Sequence, residues 1–388
     1  MSDIIRTAGS LDAPRSSLLA PAATAAARPV PLPRPGYDEL TLYSPNVDAC
    51  AVDLSDNTNL WGAPPAAARA VRDGSAGEGP NALTRYPVLY ANALKPHLAA
   101  YAGVAAEEVT TGCGSDDVLD AAMRAFAVPG DVVAHPVPSF SMIPVFARMN
   151  GLASVAVPLT GDWDVDADAL LATRARIIYV CSPNNPTGTL ASRRAVERIA
   201  AEAPGLVIVD EAYAEFTPDA DWASRAPRLG NVLATRTLSK AFGLAGLRVG
   251  YGTGHRDLVA QVERARGPYK VSSAAERAVA AVLTDDLPWV RARATEAVTN
   301  RERLAAELTA RALAPLPSAA NFVLVPTPRA VAIGDALAAR GIAVRVFPHL
   351  AGVGPALRIG VGPWGMMERL LDGLDEMERV EGPGSRVE

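Results

Sequence analysis

Short apolar runs rich in β-branched residues alternate with longer amphipathic stretches between about residues 73 and 290. The short runs predict buried strands, and the longer stretches predict helices. Because the two alternate along the chain, the pattern favours a mostly parallel sheet with helices on both faces. We therefore predict an α/β fold whose large domain, residues 73–290, has three layers, α/β/α. The clearest predicted strands are 132–135, 153–157, 177–180, 206–209 and 232–235.

The pattern of apolar and polar positions changes after residue 290. The predicted elements there are a long charged helix over 291–313, strands over 321–325, 342–346 and 357–360, and a helix over 331–340. Short strands mixed with helices in this way are typical of an α+β unit. We therefore predict a second, smaller α+β domain made of residues 291–380 and completed by residues 38–72.

The first 36 residues are rich in alanine, proline and serine. Dense proline disfavours both regular helix and central strand, so residues 1–36 are predicted to be a flexible N-terminal arm. A secretory signal is disfavoured because Asp3 and Asp12 interrupt the start and no long uncharged apolar run follows the early arginine.

The composition narrows the class of protein. A chain of 388 residues with 49% hydrophobic and 20% charged residues is expected to be a soluble globular protein with a sizeable core. The net charge of −5 and the absence of a basic run argue against a nucleic-acid partner. No apolar run reaches the roughly 18 residues that a membrane helix needs. Cys50, Cys113 and Cys181 lack disulfide-pair or metal-site spacing, so we expect free thiols, no metal and a cytoplasmic location.

Only three of the 37 lysine and arginine residues are lysines: Lys95, Lys240 and Lys270. Arginine stays protonated, so only these amines can attack a carbonyl carbon and form a Schiff base. Lys95 is predicted to be an exposed helix residue. Lys270 is predicted to lie in a loop, either as a solvated surface group or as a positive charge near a substrate phosphate.

Lys240 has neighbours that suit an anion. The segment 236–251 reads RTLSKAFGLAGLRVGY and places Thr237, Ser239 and Arg248 near the amine. Two hydroxyls and a guanidinium are a donor set that matches an oxyanion such as phosphate.

Three further segments place polar residues at predicted strand ends. The segment 112–120 opens a helix, whose first amides, at Ser115 and Asp116, would suit a phosphate or serve only as a cap. The loop after strand 177–180 holds Asn185, and strand 206–209 leads into Asp210. Pyridoxal 5′-phosphate needs a lysine, a carboxylate under its ring nitrogen, donors to its phenolic oxygen and a phosphate cradle. The four segments supply these parts.

Several motifs resemble those of the fold-type I aminotransferases, and most closely those of the histidinol-phosphate aminotransferases. They are CSPNNPTG ending at Gly188, DEAY ending at Tyr213, the Lys240 segment, and LRIGVG ending at Gly362. The resemblance runs from about Tyr43 to Leu374. It implies a large and a small domain, pyridoxal phosphate as cofactor, a place in amino-acid metabolism such as histidine biosynthesis, and a homodimer with shared active sites.

The resemblance also implies a role for individual residues. Lys240 would bind the cofactor and move the substrate proton, Asp210 would pair with the ring nitrogen, and Asn185 and Tyr213 would bind the phenolic oxygen. Phe140 would stack on the ring, where the family often has tyrosine. The phosphate would be held by Ser115, Asp116, Thr237, Ser239 and Arg248.

The resemblance is less decisive about the partner subunit and the substrate. Tyr86, and with it Tyr43, would reach the site of the neighbouring subunit. Arg358 and Arg345 would bind the substrate anion, and Asn57 would lie on the same side. These arginines would serve glutamate and histidinol phosphate, and equally the carboxylate of an aromatic amino acid.

Departures from the family pattern lie mostly on the substrate side. They are the segment 53–59 in place of Asn-Glu-Asn, Phe140 in place of tyrosine, Lys270 within Pro-Tyr-Lys-Val-Ser, and Val88 after Tyr-Pro.

Decarboxylation, racemisation and β-elimination stay open beside transamination, because the fold alone does not determine which bond breaks. A non-catalytic cofactor-binding module is disfavoured, since no helix-turn-helix segment precedes the motifs. Contact of Arg266 or Lys270 with the substrate stays open.

Overall fold

The computed structural model describes Arg34, Tyr37, Leu40 and residues 50–73, 84–218 and 220–381. The described residues from 50 onward belong to one compact unit. Arg34, Tyr37 and Leu40 belong to another, in which the Arg34 guanidinium lies 5.0 Å from the centre of the Tyr37 ring. Tyr43 and the predicted arm over 1–36, apart from Arg34, lie outside the described residues.

The described strands form one large sheet and two small ones. In chain order they are β1 (Val52–Asp53), β2 (Val109–Cys113), β3 (Val132–Val137), β4 (Ala153–Pro158), β5 (Ile177–Cys181), β6 (Leu206–Asp210), β7 (Val232–Thr237), β8 (Val249–Gly254), β9 (Phe322–Pro326), β10 (Ile342–Ala343), β11 (Arg345–Leu350) and β12 (Gly354–Gly360).

The described helices surround these sheets. They are α1 (Pro65–Asp73), α2 (Lys95–Ala102), α3 (Ser115–Phe126), α4 (Met142–Met149), α5 (Ala167–Ala172), α6 (Arg193–Glu202), α7 (Trp222–Arg225), α8 (Arg256–Ala265), α9 (Ser273–Ala281), α10 (Leu287–Ala310), α11 (Ala330–Ala338) and α12 (Trp364–Glu381). A π-helical stretch, Val282–Asp286, joins α9 to α10. Short 3₁₀ turns lie at Leu89–Ala91, Ala106–Glu108, Ala214–Phe216, Ala226–Arg228 and Ala245–Leu247.

Side-chain caps fix where several helices begin. Asp166, Ser192 and Ser272 precede α5, α6 and α9, and the side chain of each accepts a backbone N–H of the first turn. Such a cap satisfies a donor that has no partner within the helix and contributes about 1 kcal/mol.

The large sheet has the strand order β2-β8-β7-β6-β5-β3-β4. Strand β8 runs antiparallel to both of its neighbours, and the other pairs from β7 to β4 are parallel. Every residue of β5 and β6 is buried, as expected of parallel strands covered on both faces. The five predicted strands and the mostly parallel sheet are thereby confirmed.

Alternate residues of β5 pack into two different hydrophobic clusters. Ile178 and Val180 pack in a cluster with residues of α2, α6 and α9, whereas Ile177 and Tyr179 pack in another with residues of α3 and α4. Each fully buried aliphatic side chain contributes roughly 1.5–3 kcal/mol. Helices on both faces of the sheet confirm the predicted three layers.

A smaller antiparallel sheet has the order β11-β12-β9, and β1 pairs in parallel with β10. The single strand predicted over 342–346 is wrong, because the chain changes partner at Val344: β10 pairs with β1 and β11 pairs with β12. A third hydrophobic cluster joins Val52 and Leu54 to residues of α10, β9, β12 and α12. This packing accords with the predicted small domain, whose boundaries stay a prediction.

Candidate active site

A cavity of about 500 Å³ lies where β5, β6 and β7 end. The last residues of these strands, Cys181, Asp210 and Thr237, are among its lining residues. Ligands of open α/β sheets bind at this edge. The cavity brings together most of the predicted site residues: Asn57, Ser115, Asp116, Phe140, Asn185, Asp210, Tyr213, Thr237, Ser239, Lys240, Arg248, Arg345 and Arg358.

One end of the cavity carries a group of hydrogen-bond donors. Ser115 is the first residue of α3, so its backbone N–H lies at a helix start, where the helix dipole favours an anion. The Thr237 hydroxyl donates to the Ser239 hydroxyl oxygen across 3.0 Å, and the Ser239 N–H donates to Thr237 Oγ1 across 3.2 Å. Arg248 adds a guanidinium that is about half exposed. This donor set suits a phosphate.

Two glycines allow the backbone to approach closely at this end. Gly114 has φ +79°, and a Cβ there would lie 2.6 Å from Nη2 of Arg248. A Cβ on Gly250, in β8, would collide with the backbone nitrogen of Ser115. A larger residue at Gly250 would therefore push β8 away from the start of α3, whereas one at Gly114 would displace the Arg248 guanidinium and strain a backbone of positive φ.

The Asp210 carboxylate is buried, with a relative exposure of 3%. Its Oδ2 accepts the Tyr179 hydroxyl at 2.8 Å, and its Oδ1 accepts the Thr235 hydroxyl and the Ala212 N–H, both at 3.2 Å. Burial raises the pKa of Asp210 to about 6, although these hydrogen bonds oppose the shift. No cationic side chain among the described residues pairs with it, so a cationic group of a ligand would offset the cost of the charge.

The Lys240 amine donates to the backbone carbonyl oxygen of Asp56 across 3.1 Å. It also lies 5.9 Å from the centre of the Tyr213 ring. Burial, together with the positive charge of Arg358, lowers the pKa of Lys240 to about 8. Roughly a tenth of the amine is then neutral at pH 7, far more than for an ordinary lysine. Neutral amine is the form that attacks a carbonyl carbon.

Asn57 and Tyr213 form the wall beside the amine. The Asn57 side-chain amide donates to the Tyr213 hydroxyl oxygen across 3.2 Å, and the backbone of Asn57 is fixed by the Asn321 side chain, which donates to its carbonyl at 3.0 Å. The buried Oδ1 of Asn57 has no hydrogen-bond partner among the described residues. Burial raises the pKa of Tyr213 to about 12, so its hydroxyl stays protonated and available as a donor.

Two arginines on paired strands also line the cavity. Arg345 of β11 lies directly opposite Arg358 of β12. Arg358 is buried and donates to the Asn185 side-chain oxygen and to the Ser55 carbonyl oxygen, both at 2.6 Å. Because Asn185 Oδ1 is taken by this bond, its Nδ2 group is left to donate to another acceptor.

Several lining residues were not predicted. Phe347 and Leu350 of β11 and Met142 at the start of α4 add apolar side chains to the lining, as Phe140 does. Their sequence signal is that of ordinary core residues. Tyr179 was missed as a partner of Asp210, although a tyrosine in a fully buried strand signals that its hydroxyl needs a hydrogen-bond partner.

Other predicted residues lie away from the cavity. Tyr86 is 81% exposed and stacks on Tyr269, with 4.7 Å between ring centres. Lys270 pairs with Asp117 at 2.9 Å and does not line the cavity.

The prediction that Lys95 is exposed was wrong. Its side chain is only 12% exposed and pairs with Glu263 at 3.3 Å. Glu263 also accepts from Arg266, which is itself buried and donates to Thr111. These residues form a buried ion-pair group outside the cavity, so Arg266 does not contact it.

The remaining features concern thiols, metals and membranes. Cys50, Cys113 and Cys181 form no disulfide. Within the described residues, no group of three or more histidine, cysteine, aspartate or glutamate side chains could hold a metal ion. Nor does the described part of the chain contain a helix long and apolar enough to cross a membrane.

Comparison with known proteins places the chain in a family. The family profile "Aminotransferase class I and II" matches residues 50–374. A histidinol-phosphate aminotransferase of Roseiflexus castenholzii is 38% identical over 338 residues, which cover 84% of this chain and 89% of the relative. An aromatic amino acid aminotransferase of Corynebacterium glutamicum (strain R) is 37% identical over 309 residues, covering 77% and 87%.

A solved structure agrees with this assignment. The histidinol-phosphate aminotransferase of Sinorhizobium meliloti, in complex with pyridoxal 5′-phosphate, superposes with a TM-score of 0.78 at 29% identity, covering 86% of this chain and 92% of that one. The predicted resemblance to fold-type I aminotransferases is confirmed. The chain belongs to the class I and II aminotransferases and is a transaminase that depends on pyridoxal phosphate.

Proposed function

We propose that the protein moves an amino group between glutamate/2-oxoglutarate and histidinol phosphate/imidazole acetol phosphate. The observation that carries the proposal is the placing of two arginines, Arg345 and Arg358, in the same cavity as the Lys240 amine. A guanidinium binds carboxylate or phosphate through paired hydrogen bonds, so both substrates present an anion that these arginines can bind. Relatives named for histidinol phosphate support the choice.

The residues of the cavity fit pyridoxal phosphate. Asp210 is a buried carboxylate that pairs with no described cation, and it would pair with the protonated ring nitrogen. Asn185 and Tyr213 would donate to the phenolic oxygen, and Phe140 would cover a face of the ring. The phosphate would be held by Ser115, Asp116, Thr237, Ser239 and Arg248. Once bound, the cofactor supplies the electron sink that allows a substrate α-hydrogen to leave as a proton.

Lys240 would both hold the cofactor and move the proton. Its lowered pKa makes the neutral amine available near neutral pH, which suits attack on the cofactor carbonyl. With the substrate amine in its place, Lys240 Nζ, which lines the cavity, would accept the α-proton and return it at the other end of the transfer. The Asp56 carbonyl, at 3.1 Å, orients the amine.

The substrate side combines charge with an apolar surface. Arg358 is held by Asn185 and Ser55, so its guanidinium is already oriented before an anion binds. Phe347 and Leu350 lie on the same strand as Arg345. An imidazole ring against these side chains, with its phosphate ester on the arginines, would use both features.

An aromatic amino acid is the second candidate substrate. The cavity is lined by the apolar side chains of Phe140, Met142, Phe347 and Leu350. These would contact a phenyl ring, and Arg358 would bind the carboxylate. The relative named as an aromatic amino acid aminotransferase, at 37% identity, favours this candidate.

We also propose that the protein is a homodimer in which Tyr86 reaches the cofactor phosphate of the neighbouring subunit. Tyr86, Val88, Leu89 and Tyr269 are exposed by 81%, 47%, 47% and 45%. Apolar side chains grouped in this way are typical of a surface that a partner covers. Tyr86 lies outside the cavity of its own chain, and this position is consistent with a role in another subunit.

The test is a single-turnover experiment on the holoenzyme. Mixing with glutamate should convert the lysine-bound cofactor to its amino form, with loss of the visible absorbance band. The rate of this conversion and the rate of its reversal are then compared for histidinol phosphate, phenylalanine and tyrosine. The fastest conversion is expected with histidinol phosphate; faster reaction with phenylalanine or tyrosine supports the second candidate. Release of carbon dioxide, or no conversion with any amino donor, would contradict transamination.

A further inference from the structure

The Lys270 ammonium lies 2.9 Å from Oδ1 of Asp117. The side chains are 36% and 11% exposed, and neither lines the cavity. Asp117 is the third residue of α3, two positions after Ser115. The ion pair therefore sits directly behind the helix start that offers donors to the cavity.

The same carboxylate also holds the backbone before the helix. Its other oxygen, Oδ2, accepts the N–H of Cys113 across 3.0 Å. A single aspartate thus ties the end of β2 to the first turn of α3 and to Lys270. Gly112 leaves room for this, because a Cβ there would lie 3.0 Å from Oδ2.

The backbone between Cys113 and Asp117 includes Gly114 and Ser115, and Ser115 lines the end of the cavity that carries the hydrogen-bond donors. If the Asp117 carboxylate turned toward solvent, the Cys113 hydrogen bond would be lost and this turn would be free to shift. Lys270 opposes that rotation because its ammonium holds Oδ1 of the same carboxylate. The Lys270 side chain lies against Gly267, where a Cβ would be 3.1 Å from the Lys270 Cε atom.

The segment that carries Lys270 also contacts the segment that carries Tyr86. Tyr269 stacks on the Tyr86 ring at an angle of 20°, and the Tyr90 N–H donates to the Pro268 carbonyl across 2.9 Å. Residues 268–270 therefore connect the Tyr86 segment with the start of α3, so Lys270 is anchored from both sides.

We propose that Lys270 is a positioning residue for the cofactor phosphate, which acts by holding Asp117 and, through it, the Cys113–Ser115 turn. The inference rests on the phosphate cradle of the proposed function. Because the pair is partly exposed, its effect is modest.

The test compares two ligands that differ only in the phosphate. The full-length protein is freed of cofactor and titrated with pyridoxal 5′-phosphate and with pyridoxal, following the visible absorbance of each complex. Lys270→Met should weaken pyridoxal phosphate binding about fivefold. Binding of pyridoxal should not change. Lys270→Arg, which keeps the ion pair, should stay within about twofold of the wild type.

Two further variants separate positioning from a general loss of structure. Lys95→Met removes a different ion-paired lysine, away from the cavity, and should leave both affinities at the wild-type value. Asp117→Asn should weaken phosphate binding as much as Lys270→Met does, and the double variant should be no weaker than either one. The Asp117 variant also serves if the methionine variant does not fold.

Each contrary result overturns the inference. An unchanged affinity of Lys270→Met for pyridoxal phosphate, an equal loss for pyridoxal, or additive losses in the double variant would each do so. A wild-type protein whose affinity is the same for both ligands would instead contradict the phosphate cradle itself.

Discussion

An N–H group of Arg358 donates to the side-chain oxygen of Asn185 across 2.6 Å. The arginine expected to bind the substrate anion and the asparagine expected to bind the cofactor are therefore one hydrogen-bonded unit. The pairing fixes the orientation of both groups. A substitution on the substrate side is therefore expected to alter the surroundings of the cofactor as well.

Arg358→Lys should lower kcat/KM for histidinol phosphate by about 10-fold to 100-fold. A lysine ammonium cannot donate to Asn185 and Ser55 while presenting a fork to the anion. The cofactor absorbance should also shift, because Asn185 loses its partner. Arg124→Lys, the same change at a surface ion pair with Asp120, is the control and should change neither property.

Asp210→Asn should retain the cofactor but slow proton transfer by about 100-fold or more. The neutral amide cannot stabilise a protonated ring nitrogen as the carboxylate does. Single-turnover rates with glutamate measure the effect. A rate within about threefold of the wild type would contradict the role of Asp210.

Stability of the cofactor-free protein should depend on pH through Asp210. Burial raises its pKa from the usual 3.8 to about 6, so the folded protein binds this proton more tightly than the unfolded chain. The contribution is fully present below about pH 4 and is lost as the pH rises through 6, by about 3 kcal/mol. Unfolding free energies of the wild type and Asp210→Asn, compared at pH 4 and pH 7, should diverge by about 2 kcal/mol, because part of the contribution is already lost at pH 4. Parallel pH profiles for the two proteins would contradict it.

Tyr86 is expected to act in the neighbouring subunit, and mixed dimers can show this. Tyr86→Ala and Lys240→Ala should each be nearly inactive as pure proteins. Unfolded and refolded together, they form mixed dimers with one complete site, and activity should return to about a quarter of the wild type. No recovery, with dimers confirmed by size, would mean that Tyr86 does not act across an interface.

Much of the fold could be predicted from the sequence because its signals are local. The buried strands that lead to Cys181 and Asp210 are short apolar runs, and the α3 start follows a glycine that tolerates positive φ. The change of partner at Val344 could not be predicted. It depends on β1, which lies almost 300 residues earlier in the chain.

The residues of the candidate site likewise differ in whether local sequence alone could reveal them. Lys240 and its neighbours stand together in one segment, so their chemistry is visible in the sequence. Tyr179 meets Asp210, and Lys95 meets Glu263, only through tertiary packing. The burial of Lys95 was therefore missed, since an isolated lysine in a helix gives no sign of a distant carboxylate.

The most direct test of the account is to identify the residue that carries the cofactor. Borohydride reduction of the holoenzyme fixes the lysine–cofactor bond, and peptide mass spectrometry then locates the added mass. The chain has only three lysines, so the outcome is unambiguous. We expect the modification on Lys240 alone, and its loss in Lys240→Ala. Modification of Lys95 or Lys270, or none on Lys240, would contradict the central claim.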